Sequence, residues 1–156
     1  SLAEVVERCG WAKVEVVTAD EREQGARINL NLGHSLAHAI ETAAGYAGIL
    51  HGEAVAYGLR AASRIGVAVE ATPPERASRI EELLDVLDLG RAPLPYQLAE
   101  VLAAIVTDKK HAGGRLRGGL PTAAGVTVRS DVPDEVVEAA ARGILAGTGA
   151  GAGVRA

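Results

Sequence analysis

Thirty alanines and 19 glycines among 156 residues, set against four aromatics, leave this chain few ways to fill a core. The aromatics are Trp11, Tyr46, Tyr57 and Tyr96, with no phenylalanine and no methionine. A core built from Ala, Val, Leu and Ile fills its volume only if the elements approach closely, and small residues at helical spacing permit that. Apolar positions are periodic through most of the chain, which argues against low complexity. Only GTGAGAGVRA, from Gly147 to Ala156, reads as a disordered tail. Residues 1–146 then form one domain, and a domain of about 150 residues buries about 70% of its unfolded surface.

Charge and cysteine usage narrow the function classes. Sixteen Lys and Arg against 20 Asp and Glu give a net charge of -4. There is no global field to hold a nucleic-acid backbone, so an anionic partner must be met by a local basic cluster. The single Cys9 excludes an internal disulfide framework and agrees with a cytoplasmic setting. No apolar run reaches the ~18 residues of a membrane helix, and no charged start precedes an h-region. A chain that opens on Ser1 and has no methionine reads as a piece of something longer.

Along the chain, Ser1 with Glu4 forms a capping box ahead of a helix to about Cys9. The next stretch, WAKVEVVTAD, is rich in β-branched residues and on pattern alone reads as a strand. Ile28, Leu30 and Leu32 alternate up to Gly33, after which His34 to Ala44 reads as a helix ended by Gly45. A long helical pattern covers Ala54 to Val69, and its small residues imply close packing. Thr72-Pro73-Pro74-Glu75 combines a cap, a proline and a reciprocal glutamate as a helix start, with Ile80, Leu83, Leu84 and Leu87 as the buried stripe. A further helix spans Tyr96 to Thr107, with Leu98, Val101, Leu102 and Ile105 on one face and Asp108-Lys109-Lys110 following it. Arg115–Leu120 and Val126–Arg129 read as a hairpin, and Pro133-Asp134-Glu135 starts a last helix. The expected fold is mainly α with a minor β hairpin.

Three of the four histidines fall within 18 positions. His34 and His38 lie four apart on a helix, so both imidazoles project from one face, and His51 follows at the next helix start. Imidazole is the commonest neutral ligand for zinc, and an open catalytic site needs three protein ligands with room left for substrate. A shell of three histidines and a mixed shell with a carboxylate are equally ordinary on spacing alone. Lys13, Arg22, Arg27 and Asn31 lie upstream of the trio, and Lys109 with Lys110 join them as cationic candidates. Such a set suits a substrate bearing phosphate or carboxylate.

Three blocks, ARINLNLGHSLAHAIE, GYAGILHGEAVAYGLRAAS and DKKHAGGRLRGGLP, in this order and spacing, resemble the C-terminal domain of 3-dehydroquinate synthase. The likeness covers roughly residues 1 to 130. It implies a two-domain, homodimeric enzyme whose N-terminal α/β domain binds NAD and whose helical C-terminal domain carries much of the metal and substrate site. This chain resembles the second domain only. By that resemblance His34 and His51 are ligands of Zn2+ or Co2+, and His38 handles a proton near the substrate. The third ligand is implied to be a glutamate preceding the matched region. Lys13, Glu23, Arg27 and Asn31 match polar active-site positions, Lys13 and Glu23 with a catalytic role. Lys109 or Lys110 is implied to hold the substrate phosphate. The resemblance also makes the region around Trp11 to Glu21 helical, against the strand pattern. One departure is Ala37, where the family usually has glycine just before the second histidine.

The implied reaction converts 3-deoxy-D-arabino-heptulosonate 7-phosphate to 3-dehydroquinate and phosphate. NAD serves as a transient oxidant, and the metal as a Lewis acid lowers the pKa of a bound hydroxyl. An imidazole titrates near neutral pH, which suits His38 to proton relay. Rival readings are another sugar phosphate cyclase, of the 2-deoxy-scyllo-inosose or epi-valiolone type, and a relative of metal-dependent alcohol or glycerol dehydrogenases. A non-catalytic, metal-binding helical module is a further rival. INLNLGH, the glutamate of HGEAVAYG and the DKK block favour the synthase. With no Gly-rich nucleotide fingerprint between a strand and a helix, the chain alone is expected to be inactive.

Overall fold

The computed structural model describes residues 1–22, 25–111 and 118–147, leaving aside the side chains at 26 and 108–111. Its elements in chain order are α1 (Leu2–Ala19), a 3-10 turn (Ala26–Asn31), α2 (His34–Ala43), α3 (His51–Ala68), α4 (Pro74–Val86) and α5 (Leu98–His111). The hairpin strands β1 (Gly118–Pro121) and β2 (Val126–Arg129) follow, and then α6 (Asp134–Leu145). The fold is mainly α with a small antiparallel hairpin, as the sequence implies.

Helix α1 starts where its capping box predicts, with the Ser1 hydroxyl accepting the Glu4 N–H at 3.3 Å. It then runs unbroken through Trp11 and the valines to Ala19, so the strand reading of WAKVEVVTAD is overturned. A valine in a helix costs only about 0.5 kcal/mol, and once nucleated a helix propagates through such residues. A strand would also need a paired neighbour, and among the described residues β1 and β2 pair with each other. The alternating Ile28, Leu30 and Leu32 likewise belong to a 3-10 turn and its end.

Helix α3 is the centre of the bundle, packing on α2, α4, α6 and β1. Its buried side is Ala54, Gly58, Ala61, Ala62, Ile65 and Gly66, so neighbouring backbones come close. Ile40 from α2, Val101 and Ile105 from α5 and Ile144 from α6 fill the space around it. Each such aliphatic side chain contributes about 1.5–3 kcal/mol by burial. Ala37, the family departure, is fully enclosed in this core, so its methyl is accommodated.

Helix α4 is held differently from the apolar stripe the sequence suggests. Pro74 opens it as expected, but Thr72 does not cap it. The Thr72 hydroxyl is buried and donates to the Pro121 carbonyl at 2.6 Å, tying the α3–α4 joint to β1. Of the four stripe residues only Leu84 is buried, while Leu83 and Leu87 are 58% and 56% exposed. The attachment is polar instead. Arg60 of α3, fully buried, donates through Nη1 to Glu81 and through Nη2 to Asp85 at 2.7 Å and to the Leu89 carbonyl at 2.8 Å. Arg64 adds a 3.1 Å contact to Glu81.

Helix α5 buries Val101 and Ile105 as the periodicity predicts. It continues through Asp108-Lys109-Lys110 to His111, so the cationic pair lies within its last turn rather than after it. The hairpin pairs Gly119 with Val128 and Leu120 with Thr127. The part of the first strand expected at 115–117, and the tail beyond 147, lie outside the described residues. Among the described residues no helix is long and apolar enough to cross a membrane.

Candidate metal centre

His34 opens α2 immediately after Gly33, whose φ of 79° makes the sharp entry that a side chain would resist. His38 follows one turn later, and His51 opens α3. The N-terminus of α3 is fixed by Glu53, whose carboxylate accepts the Leu50 N–H at 3.0 Å. Two helix starts and one helical turn therefore bring the trio together. Ring centroids are 5.3 Å apart for His34–His51, 5.7 Å for His34–His38 and 6.2 Å for His38–His51.

Each of the paired rings is oriented by its Nδ1. His34 Nδ1 lies 3.2 Å from the Leu32 carbonyl, and His51 Nδ1 lies 3.0 Å from Glu41 Oε1. Carbonyl and carboxylate oxygens only accept, which assigns the proton to Nδ1 in both rings and leaves both Nε2 lone pairs available. Two imidazoles sharing a zinc at bonds of about 2.0–2.1 Å and tetrahedral angles have centroids about 5 Å apart. The 5.3 Å of His34–His51 fits that requirement, and the longer separations of His38 make it the outlying member. Among the described residues no three His, Cys, Asp or Glu side chains already form a metal-holding group. Of the three rings, His34 and His51 are the pair whose separation suits a shared ion.

Beside the trio, an open groove of about 450 Å³ runs between α2 and α5, lined by Ser35, His38, Glu41, Thr42, Tyr46 and Thr107. The exposed ring of His38 faces it with polar company, since the Thr42 hydroxyl donates to the His38 carbonyl at 2.8 Å and lies 3.1 Å from the Tyr46 phenol oxygen. The other sequence candidates are not gathered so tightly. Lys13 stands exposed on α1, which packs chiefly on the 3-10 turn. Arg27, half-buried in that turn, donates through Nη1 to the Glu21 carbonyl at 2.7 Å. Asp20 accepts the N–H groups of Gly25 and Arg27 at 2.7 and 3.0 Å and so shapes the approach to the turn. Asn31 is exposed at its end, and Arg22 is exposed before it. Glu23 and the side chains of Lys109 and Lys110 lie outside the described residues. The residue that sequence reasoning missed is Glu41. Its signal was its spacing, seven after His34 and three after His38, which places it on the same helical face.

A comparison with known families matches residues 1–111 to the C-terminal domain model of 3-dehydroquinate synthase. A 3-dehydroquinate synthase of Colwellia psychrerythraea is 40% identical over 139 residues, covering 88% of this chain and 39% of its own length. That of Acaryochloris marina is 38% identical over 146 residues, covering 92% of this chain and 39% of its own length. The chain thus spans about two fifths of the curated relatives it matches. Among solved structures, a 2-epi-5-epi-valiolone synthase of Streptomyces hygroscopicus with NAD+ and Zn2+ bound superimposes with a TM-score of 0.75 at 24% identity, over 91% of this chain and 39% of that one. A 2-deoxy-scyllo-inosose synthase complexed with carbaglucose-6-phosphate, NAD+ and Co2+ gives 0.73 at 25% identity, over 88% and 41%. The neighbours share the helical fold, and the sequence relatives and the matched segment establish that this chain belongs to the 3-dehydroquinate synthase family, through its C-terminal domain.

Proposed function

We propose that the chain is the metal- and substrate-holding part of a 3-dehydroquinate synthase, a carbon–oxygen lyase acting on 3-deoxy-D-arabino-heptulosonate 7-phosphate. The observation that carries the reading is the 5.3 Å separation of the His34 and His51 rings, each engaged through Nδ1, inside the segment that matches the family. The higher identity of the 3-dehydroquinate synthases, 38–40% against 24–25% for the other cyclases, favours this substrate over theirs.

In this reading His34 and His51 hold Zn2+ or Co2+, which supplies Lewis-acid polarisation of a substrate hydroxyl. His38, beside the pair but outside it, takes and returns the proton of that hydroxyl at its ring nitrogen. The groove between α2 and α5 admits the polyhydroxyl body of the substrate. Arg27, Asn31 and Lys13 serve its carboxylate end and Lys109 or Lys110 serves its phosphate, where a fixed cation orients an anion for reaction, while Glu23 and Lys13 keep the catalytic role that the resemblance implies. The one sheet among the described residues is an antiparallel hairpin, which offers no parallel βαβ crevice for a dinucleotide. NAD is held mainly by the N-terminal α/β domain that the resemblance implies, and these residues carry the metal and substrate side of the reaction. By itself the 156-residue chain turns over no substrate, and the working enzyme is a homodimer of longer subunits in the cytoplasm.

The test is a chimera in which residues 1–146 replace the matching C-terminal 39% of the Colwellia psychrerythraea relative. The chimera forms 3-dehydroquinate and releases phosphate, and it loses both on His38→Ala. A folded chimera that binds zinc yet gives no product overturns the proposal.

A further inference from the structure

We infer that Glu41 is a positioning residue for His51. Its carboxylate holds the Nδ1 proton of the imidazole and so fixes the tautomer and the ring plane that present Nε2 to a divalent cation. The inference rests on the reading of His51 as a metal ligand and adds a residue to that site.

The asymmetry of the pair identifies which partner is the anchor. The Glu41 side chain is 12% exposed on α2, whereas the His51 side chain is 56% exposed at the first residue of α3. An exposed imidazole with no partner samples several ring orientations and both tautomers, and only one tautomer leaves Nε2 unprotonated. The 3.0 Å contact to Oε1 selects that tautomer. The bond also crosses from α2 to α3, so the carboxylate sets His51 relative to His34 and His38 on its own helix. His34 reaches the same end by another route, through the carbonyl of Leu32 two residues before it. One ring is therefore steered by local backbone and the other by a carboxylate from a different helix. Hydrogen bonding of a ligating imidazole to a carboxylate both fixes the ring and raises its basicity.

The first measurement needs no substitution. Long-range proton–nitrogen correlation spectra of the metal-free, isotopically labelled chain, taken where the imidazoles are neutral, show His51 with Nδ1 protonated and Nε2 bare. The opposite tautomer in the wild-type chain overturns the inference. The second measurement is titration with Zn2+ or Co2+. Glu41→Ala weakens binding by about 10–100-fold and lets His51 drift toward the Nε2-protonated tautomer, with the thermal midpoint of the metal-free chain near that of wild type. Glu41→Gln, whose amide oxygen still accepts, restores the tautomer and part of the affinity.

The outcomes separate the inference from the reading beneath it. If His51→Ala weakens binding but Glu41→Ala leaves tautomer and affinity at wild-type values, the positioning role falls and the metal site stands. If Glu41→Gln loses as much affinity as His51→Ala, Glu41 is itself a ligand and the positioning role falls. If His34→Ala and His51→Ala both bind metal as wild type does, the metal reading falls and takes the inference with it.

Discussion

Gly33 and Gly58 meet backbone to backbone. A Cβ on Gly58 would overlap the carbonyl oxygen of Gly33, and one on Gly33 would stand 2.8 Å from the backbone nitrogen of Leu59. This contact seats the start of α2, and with it His34, against the middle of α3. Gly58→Ala gains about 1 kcal/mol of helix propensity but forces backbone apart, an overpacking that costs about 1–3 kcal/mol. Because the overlap falls on backbone rather than on a flexible side chain, the cost lies in the upper part of that range, about 2–3 kcal/mol, and the expected net loss is about 1–2 kcal/mol, together with a reduced affinity for Zn2+ because His34 shifts relative to His51. Thermal unfolding and metal titration check the two parts separately. A Gly58→Ala chain as stable as wild type contradicts the close approach.

The Arg60 cluster leads to an expected ranking of variants. Arg60 is fully buried, whereas Glu81 and Asp85 keep 25% and 48% of their side-chain surface in water. Removing both carboxylates leaves a buried guanidinium without its counter-charges, a loss of about 3–5 kcal/mol. Arg60→Met instead removes the buried charge, including an Nε that has no partner, and leaves carboxylates that water can solvate. Chemical denaturation should therefore rank Arg60→Met well above Glu81→Ala/Asp85→Ala. The reverse order would show that the arginine anchors the cluster without its carboxylates, through its packing and its bond to the Leu89 carbonyl.

Tyr57 sets an alkaline limit on stability. Burial pushes its phenol above the usual 10.0, and the nearby Glu53 adds in the same direction, outweighing the opposite pull of Arg60. The hydroxyl donates to the Ala92 carbonyl at 2.7 Å, a bond the phenolate cannot make. Because the folded-state pKa is raised, this contribution is fully present below the unfolded value of about 10. It is lost as pH rises through the folded value. Tyr57→Phe should lower stability at neutral pH by about 1 kcal/mol and flatten the fall above pH ~10. Stability curves for the two proteins that stay parallel through that range would argue against the assignment.

Thr72 tests the tie between helix and hairpin. Thr72→Val keeps the shape of the side chain but removes the donor to Pro121. A buried acceptor left unsatisfied costs about 1–3 kcal/mol. The amides of β1 and β2 should then exchange faster than those of α3, as amide exchange followed by mass spectrometry would show. Uniform acceleration across the whole chain would mean that the bond serves general stability rather than the hairpin.

The sequence made the helical class, most helix positions and the histidine trio legible, because each rests on local signals. Such signals are a capping box at Ser1 and Glu4, apolar periodicity in α5, and the one-turn spacing of His34 and His38. What it hid depends on partners distant in the chain. The valines after Trp11 looked strand-like because propensity carries no information about whether another strand is available to pair. Leu83 and Leu87 looked buried because periodicity cannot see that Arg60, 21 residues before Glu81, takes over the attachment of α4. Thr72 looked like a cap because its true acceptor lies 49 residues away. Glu41 was passed over because its partner His51 sits on the next helix.

Helix α1 buries none of its side chains, although it is 18 residues long. Most helical stability in proteins comes from packing a face against the rest of the fold, which α1 largely lacks. Its amides can therefore open and close at a small fraction of the free energy that protects α3, as a unit separate from the bundle. Lys13 rides on this loosely secured segment, while His34 and His51 begin helices that pack into the core. The helix starts at His34 and His51 are thus placed by the core, whereas the position of Lys13 follows the order of α1.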